Sequence, residues 1–214
     1  QESKEEAVTR YESIAADIYE VLQTEKPLFR GQSGKARTAT VILSLMLHES
    51  GFRKDVDTGV GTQARGDNGR SWCLLQQNVG TGRTLAWNIK EDRPAKPICK
   101  EGQVSTKAVP CDLEAEVHPG YTGPELVGDR KNCIRAGLRA MRMSFAACGR
   151  MPNKDWLRSY ASGSCEGGSE ASARRMHLAM TWFANHRPEL DKALFPVPEI
   201  KEAAASEPIP VSMR

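Results

Sequence analysis

Apolar residues recur at helical spacing over several stretches of the chain and lose that spacing in between. Over residues 4–25, Tyr11, Ile14, Ala15, Ile18, Val21 and Leu22 return every three or four positions, which predicts an amphipathic helix. Residues 36–50 are richer in Val, Ile, Leu and Met and predict a second, more buried helix, with Gly51 as its stop. Residues 53–75 are polar and glycine-dotted and read as a loop or a small β-hairpin. From about 78 to 123 the periodicity dissolves under Pro94, Pro97, Pro110, Pro119 and several glycines, marking a long loop insertion. Helical spacing returns over 124–147 through Leu126, Ile134, Leu138, Met141 and Phe145. It continues in a short helix near 153–161 and a longer one near 169–186, with Met141, Met176 and Met180 as core filler. After Pro196 large apolar residues become sparse. The pattern therefore predicts a mainly α protein, with one domain over 1–195 and a loose tail over 196–214.

Composition narrows the class. With 214 residues, 39% hydrophobic and 27% charged, the chain can build one sizeable core. No stretch approaches the roughly 20 apolar residues of a membrane span. The net charge of +3 is mild, but its placement is uneven. Between Arg130 and Arg175 ten Lys or Arg face three acids, Asp155, Glu166 and Glu170. Such a region suits an anionic polymer. Within it Arg135, Arg139 and Arg142 fall at i, i+4 and i+7 and read as a solvated stripe, with contact to an acidic wall polymer as the sharper alternative. No nucleic-acid motif accompanies the charge, so nucleic acid is not an expected partner. The chain starts at Gln1 without Met, which reads as a product whose signal peptide has been removed.

Six cysteines are present, with no C-x-x-C pair and no zinc spacing, so disulfides and an oxidising compartment are expected, and no metal or cofactor. Cys133 and Cys148 fall on one predicted helix, about 22 Å apart at a rise of 1.5 Å per residue, beyond disulfide reach. The expected pairs are Cys99–Cys111, Cys148–Cys165 and Cys73–Cys133.

The stretch that carries chemistry ends the second helix. Ile42, Leu45, Met46 and Glu49 share one face at i, i+3, i+4 and i+7. That face aims a carboxyl group along an apolar surface at a helix C-terminus. Both surroundings disfavour its ionisation. A carboxylic acid protonated near neutral pH is what a glycosidase uses to protonate a leaving glycosidic oxygen. The alternative is a structural carboxylate paired with an arginine.

Three motifs in order extend this. They are Glu49-Ser50-Gly51-Phe52, Gly69-Arg70-Ser71-Trp72-Cys73-Leu74-Leu75-Gln76 and Ser159-Tyr160-Ala161-Ser162-Gly163. Over about 36–187 the chain resembles the soluble lytic transglycosylase branch of the lysozyme-like superfamily. That family carries E-S-x-F, then a G-L-M-Q-like segment, then A-Y-N-x-G. Cys73 stands where the family has glycine, and Ala161 where it has a substrate-binding asparagine. The resemblance implies a lysozyme-like helical domain that cleaves peptidoglycan glycan strands, with Glu49 as the acid. It places Gln76 in the sugar cleft, Tyr160 against Glu49 or the substrate, Ser50 near the reacting centre and Ser162 on the substrate. A periplasmic or secreted monomer is expected, and a non-catalytic wall-binding module is the alternative.

A hydrolase needs a second carboxylate, whereas a lytic transglycosylase uses one Glu as acid and then base. Asp55, Asp57 and Asp67 follow Glu49, and Asp67, in Gly66-Asp67-Asn68-Gly69, is the candidate, although that tetrapeptide is also ordinary turn chemistry. Both chemistries stay open. His48 points about 100° away from Glu49 on the helix and reads as a rim residue. Trp72 and Trp87 are candidates for stacking on sugars, and Trp156 and Trp182 for core.

Overall fold

The computed structural model describes residues 2–80, 82–98, 112–113 and 116–194. Helix α1, Lys4–Thr24, starts at a capping box. The Ser3 hydroxyl accepts the Glu6 amide at 3.1 Å, and the Glu6 carboxylate accepts the Ser3 amide at 2.8 Å. Its apolar face buries Ile14, Ile18, Val21 and Leu22. Helix α2, Gly34–Ser50, is the centre of the molecule. Val41, Ile42, Leu45 and Met46 are fully buried, and its hydroxyls are satisfied internally, as in the 2.7 Å bond from Thr38 to the Gly34 carbonyl. Helix α7, Ser169–Leu194, lies along α2, while α5, Arg130–Cys148, packs on α1. A mainly helical fold with disulfides is thus what the apolar spacing predicts.

Two boundaries differ from the sequence reading. The single helix expected over 124–147 is two, α4 (Gly123–Gly128) and α5, because Asp129 leaves helical geometry at φ −138° and ψ 108°. Its carboxylate then caps α5 by accepting the Lys131 amide at 2.9 Å. Helix α7 does not stop at 186 but bends at His186 (φ −125°) and continues to Leu194. Pro188 lacks the N–H that would bond the Ala184 carbonyl, and its ring clashes there, so the helix bends rather than runs straight. Leu194 then reaches the core.

The region after α2 holds a short helix α3, Lys54–Thr58, a 3₁₀ turn at Asp67–Gly69 and one antiparallel hairpin. The hairpin pairs β1, Ser71–Trp72, with β2, Gln77–Asn78, later than the 53–75 window expected for it. In the insertion, β3 (Trp87–Asn88) pairs with both β4 (Arg93–Pro94) and β7 (Val117–His118), and β5 (Pro97–Ile98) with β6 (Asp112–Leu113). Helix α6, Arg158–Ser162, packs on α5.

The hairpin loop plugs into the core. Leu74 and Leu75 are fully buried, and a Cβ at position 137 of α5 would stand 2.3 Å from Leu75 Cδ1, so only Gly137 admits the loop. The Cys73–Cys133 disulfide ties the loop to the same helix, and Cys148–Cys165 joins the end of α5 to the segment before α7. The expected Cys99–Cys111 pair lies outside the described residues. No described helix is long and apolar enough to cross a membrane.

Candidate active site

Helix α2 delivers Glu49 in its last turn. The chain leaves at once, because Gly51 and Phe52 both adopt left-handed backbone at φ 59° and 54°. Glycine meets that demand freely, whereas Phe52 sits there under strain. The sharp exit leaves the carboxyl at the helix end facing two depressions rather than covered by the next segment.

The larger depression is a cleft of about 760 Å³. Glu49, Asp67, Gln76, Gln77, Asn78 and Tyr160 line it, with Ser162 from the end of α6. The smaller, of about 220 Å³, is lined by His48, Ser50, Arg65 and Gly66 and shares Glu49 and Gln76 with the first. Glu49 and Gln76 therefore stand where two parts of one groove meet.

Glu49 is mostly buried, with 19% of its side chain exposed. Arg175 of α7 donates from Nη2 to Glu49 Oε1 at 2.6 Å. Burial pushes the Glu49 carboxyl above the usual range, the Arg175 charge and hydrogen bond pull it back, and nearby Asp67 pushes it up again. Burial wins, so the net shift is upward and the proton is held more tightly than on a free carboxyl. Arg175 is mostly buried, with 13% of its side chain exposed, and its buried Nε and Nη1 have no hydrogen-bond partner among the described residues.

The structure brings most of the expected residues together but changes what several do. Ser50 is buried and donates its hydroxyl to the Met46 carbonyl at 2.7 Å, so it is not aimed at a reacting centre. Tyr160 does not hydrogen-bond Glu49. Its hydroxyl donates to the Leu75 carbonyl at 2.8 Å and accepts from Gln77 Nε2 at 3.0 Å. Burial, then the charge of Glu49, pushes its phenol far up, so it stays neutral. Gln76 faces the cleft from left-handed backbone (φ 45°) and donates to the Cys73 carbonyl at 3.1 Å. Ser162 donates to the Arg158 and Ser164 carbonyls at the cleft rim. Cys73 also sits at φ 62°, left-handed backbone that favours glycine, and its disulfide to Cys133 holds it there.

Of the three following carboxylates, only Asp67 lines the groove, where it accepts from the Ser71 hydroxyl at 2.5 Å. Asp55 is paired with Arg53 and Asp57 with Arg130. Neither tryptophan candidate is a sugar platform. Trp87 is buried at 3% exposure, and Trp72 is wedged between the Arg65 guanidinium, 3.7 Å from its ring centroid, and the backbone of Gly123. Among the described residues no group of three His, Cys, Asp or Glu side chains could hold a metal ion.

Two site residues escape the sequence reading, and a third takes another setting than expected. Gln77, buried at 7% exposure, lines the cleft beside Gln76. Arg175 lies between Ser172, Met176 and Ala179, the buried face of α7, and that placement in an apolar face was the signal for it. Arg139 lines the cleft from α5. Its stripe is not solvated: the Arg139 and Arg142 side chains are each 12% exposed and turned toward Glu25 at the end of α1.

Comparison with known proteins finds no matching family model, curated protein or solved structure.

Proposed function

We propose that the protein cleaves the glycan strands of peptidoglycan, with Glu49 as general acid. One observation carries this reading: a mostly buried carboxyl, held toward its protonated form, stands where two arms of a polar groove meet. A polymer lying along both arms would place a bond over the acid. Amide groups of Gln76, Gln77 and Asn78 offer the donors and acceptors that read sugar hydroxyls and acetamido groups.

In the reaction Glu49 gives its proton to the glycosidic oxygen as the C1–O bond breaks. In the transglycosylase route, by resemblance, the resulting carboxylate takes a proton from the C6 hydroxyl of muramic acid. That oxygen then closes on C1 to leave an anhydro end. In the hydrolase route water attacks C1, assisted by Asp67. Disulfides fit a periplasmic or secreted setting.

A second reading, a non-catalytic lysozyme-like wall-binding module, has its own observation: Arg175 bonds Glu49 and opposes its protonation. Clearing of a purified cell-wall suspension separates the two. Wild-type protein should clear it and Glu49→Gln should not; equal behaviour ends the enzymatic reading. Mass spectrometry of the fragments then assigns anhydro or reducing ends, and loss of turnover in Asp67→Asn is expected only with reducing ends.

A further inference from the structure

Part of the cleft lining differs in character from the carboxyl and amide groups of Glu49, Asp67, Gln76 and Gln77. Ala136, Arg139, Ala140 and Met143 line it from α5 at i, i+3, i+4 and i+7, so one helix face forms its wall. Thr84 and Leu85 face them from the segment before β3. Leu85 is 50% exposed and Met143 36%, so apolar surface lies open beside a guanidinium.

The charge of that guanidinium is poorly balanced. Glu25 Oε1 lies 3.9 Å from Arg139 Nη2 and also 3.9 Å from Arg135 Nε, while Glu25 Oε2 lies 3.3 Å from Arg142 Nη2. One carboxylate thus serves three arginines. Asp92 is the other acid at this cluster, and it is divided between Arg142 at 2.9 Å and Lys26 at 3.3 Å. Arg139 Nε is buried and has no hydrogen-bond partner among the described residues. The Trp87 and Tyr121 rings, both 6.0 Å from its guanidinium carbon, hold it in place without neutralising it. An arginine that lines the cleft with surplus positive charge, beside exposed aliphatic groups, is complementary to a carboxylate carried on a short aliphatic arm.

We propose that Arg139, with Leu85 and Met143, forms a specificity subsite for a carboxylate on an aliphatic side arm of the glycan. The inference rests on the glycan-cleaving reading and names which glycan the cleft selects. Two sources supply that chemistry: the free lactyl group of muramic acid and the carboxylates of a peptide stem.

The test measures binding by calorimetry in the Glu49→Gln protein, which does not turn the ligand over. Three probes share a β-1,4 backbone: neutral chitohexaose, glycan strands stripped of peptide, and strands bearing stems. A charge-assisted bond implies about tenfold tighter binding of a carboxylated probe than of chitohexaose at low salt. Adding Arg139→Gln should abolish that preference and leave chitohexaose within about twofold. Whichever carboxylated probe shows the preference identifies the source. Leu85→Glu, at an exposed position outside the core, should weaken the same probe by like-charge repulsion even if the arginine variant fails to fold. Equal binding of all three probes, or equal weakening of all three in both variants, overturns the subsite and leaves the cleavage reading intact. No binding of any probe, with no clearing of cell walls by wild-type protein, overturns both.

Discussion

Two carboxylate–arginine pairs in this molecule invite comparison. Asp57, 5% exposed at its side chain, takes both Nε and Nη2 of Arg130 at 2.8 and 2.9 Å. Arg130 Nη1 bonds Asp17 and Ser13, so every guanidinium nitrogen is used and the three charges lock α1, α3 and α5 together. Glu49 receives one bond from Arg175, whose Nε and Nη1 have no partner among the described residues. One pair is closed and away from the groove; the other is half satisfied and opens onto it. The same kinds of group build a fastener in one place and, on the proposed function, an acid in the other. What differs is how completely the arginine's donors are matched.

The most damaging test of this contrast is Glu49→Gln. It should lower cell-wall cleavage at least about 1000-fold, near 4 kcal/mol of transition-state stabilisation. Folding should not suffer at neutral pH. A carboxyl raised in the folded state adds stability below its ordinary value of 4.5 and loses it as pH climbs through the raised value. The amide escapes that loss, so urea midpoints of the two proteins should converge in acid and diverge in favour of the variant toward neutrality. Next comes Arg130→Ala, which strands Asp57 and should cost about 3–5 kcal/mol by urea denaturation, with activity per folded molecule retained. Arg175→Gln should act on the reaction instead. Since Arg175 opposes Glu49 protonation, the fall in kcat/KM on the alkaline side should move to higher pH. An unmoved profile would show that Arg175 does not tune the acid. If the products carry anhydro ends, the smallest effect belongs to Asp67→Asn, the weakest influence on Glu49, which should move the same fall slightly to lower pH.

How far the sequence reveals these features depends on how local they are. The face formed by Ile42, Leu45, Met46 and Glu49 is written in about two neighbouring turns, so both the central helix and its terminal carboxyl are legible. Arg175 is not, because its bond to Glu49 joins residues 126 positions apart. The solvated reading of the α5 arginine stripe fails for the same reason: Glu25 belongs to another helix, and periodicity cannot see across a helix pair. The break at Asp129 was available locally, as a capping residue after Gly128, but the apolar spacing runs smoothly through it. Aromatic character alone makes Trp87 a candidate for stacking on sugars, yet a two-residue strand between two partners buries it.

The Cys73–Cys133 bond joins the loop that carries Gln76 and Gln77 to the helix that carries Arg139, and all three residues line one channel. A covalent stitch at its base fixes the channel's bore before any ligand arrives. Chain ordering that a floppy mouth would suffer on each encounter is settled once, during oxidative folding. Severing the stitch should therefore slacken grip more than it slows chemistry, a rise in KM at nearly constant kcat, and let bulkier polymers in.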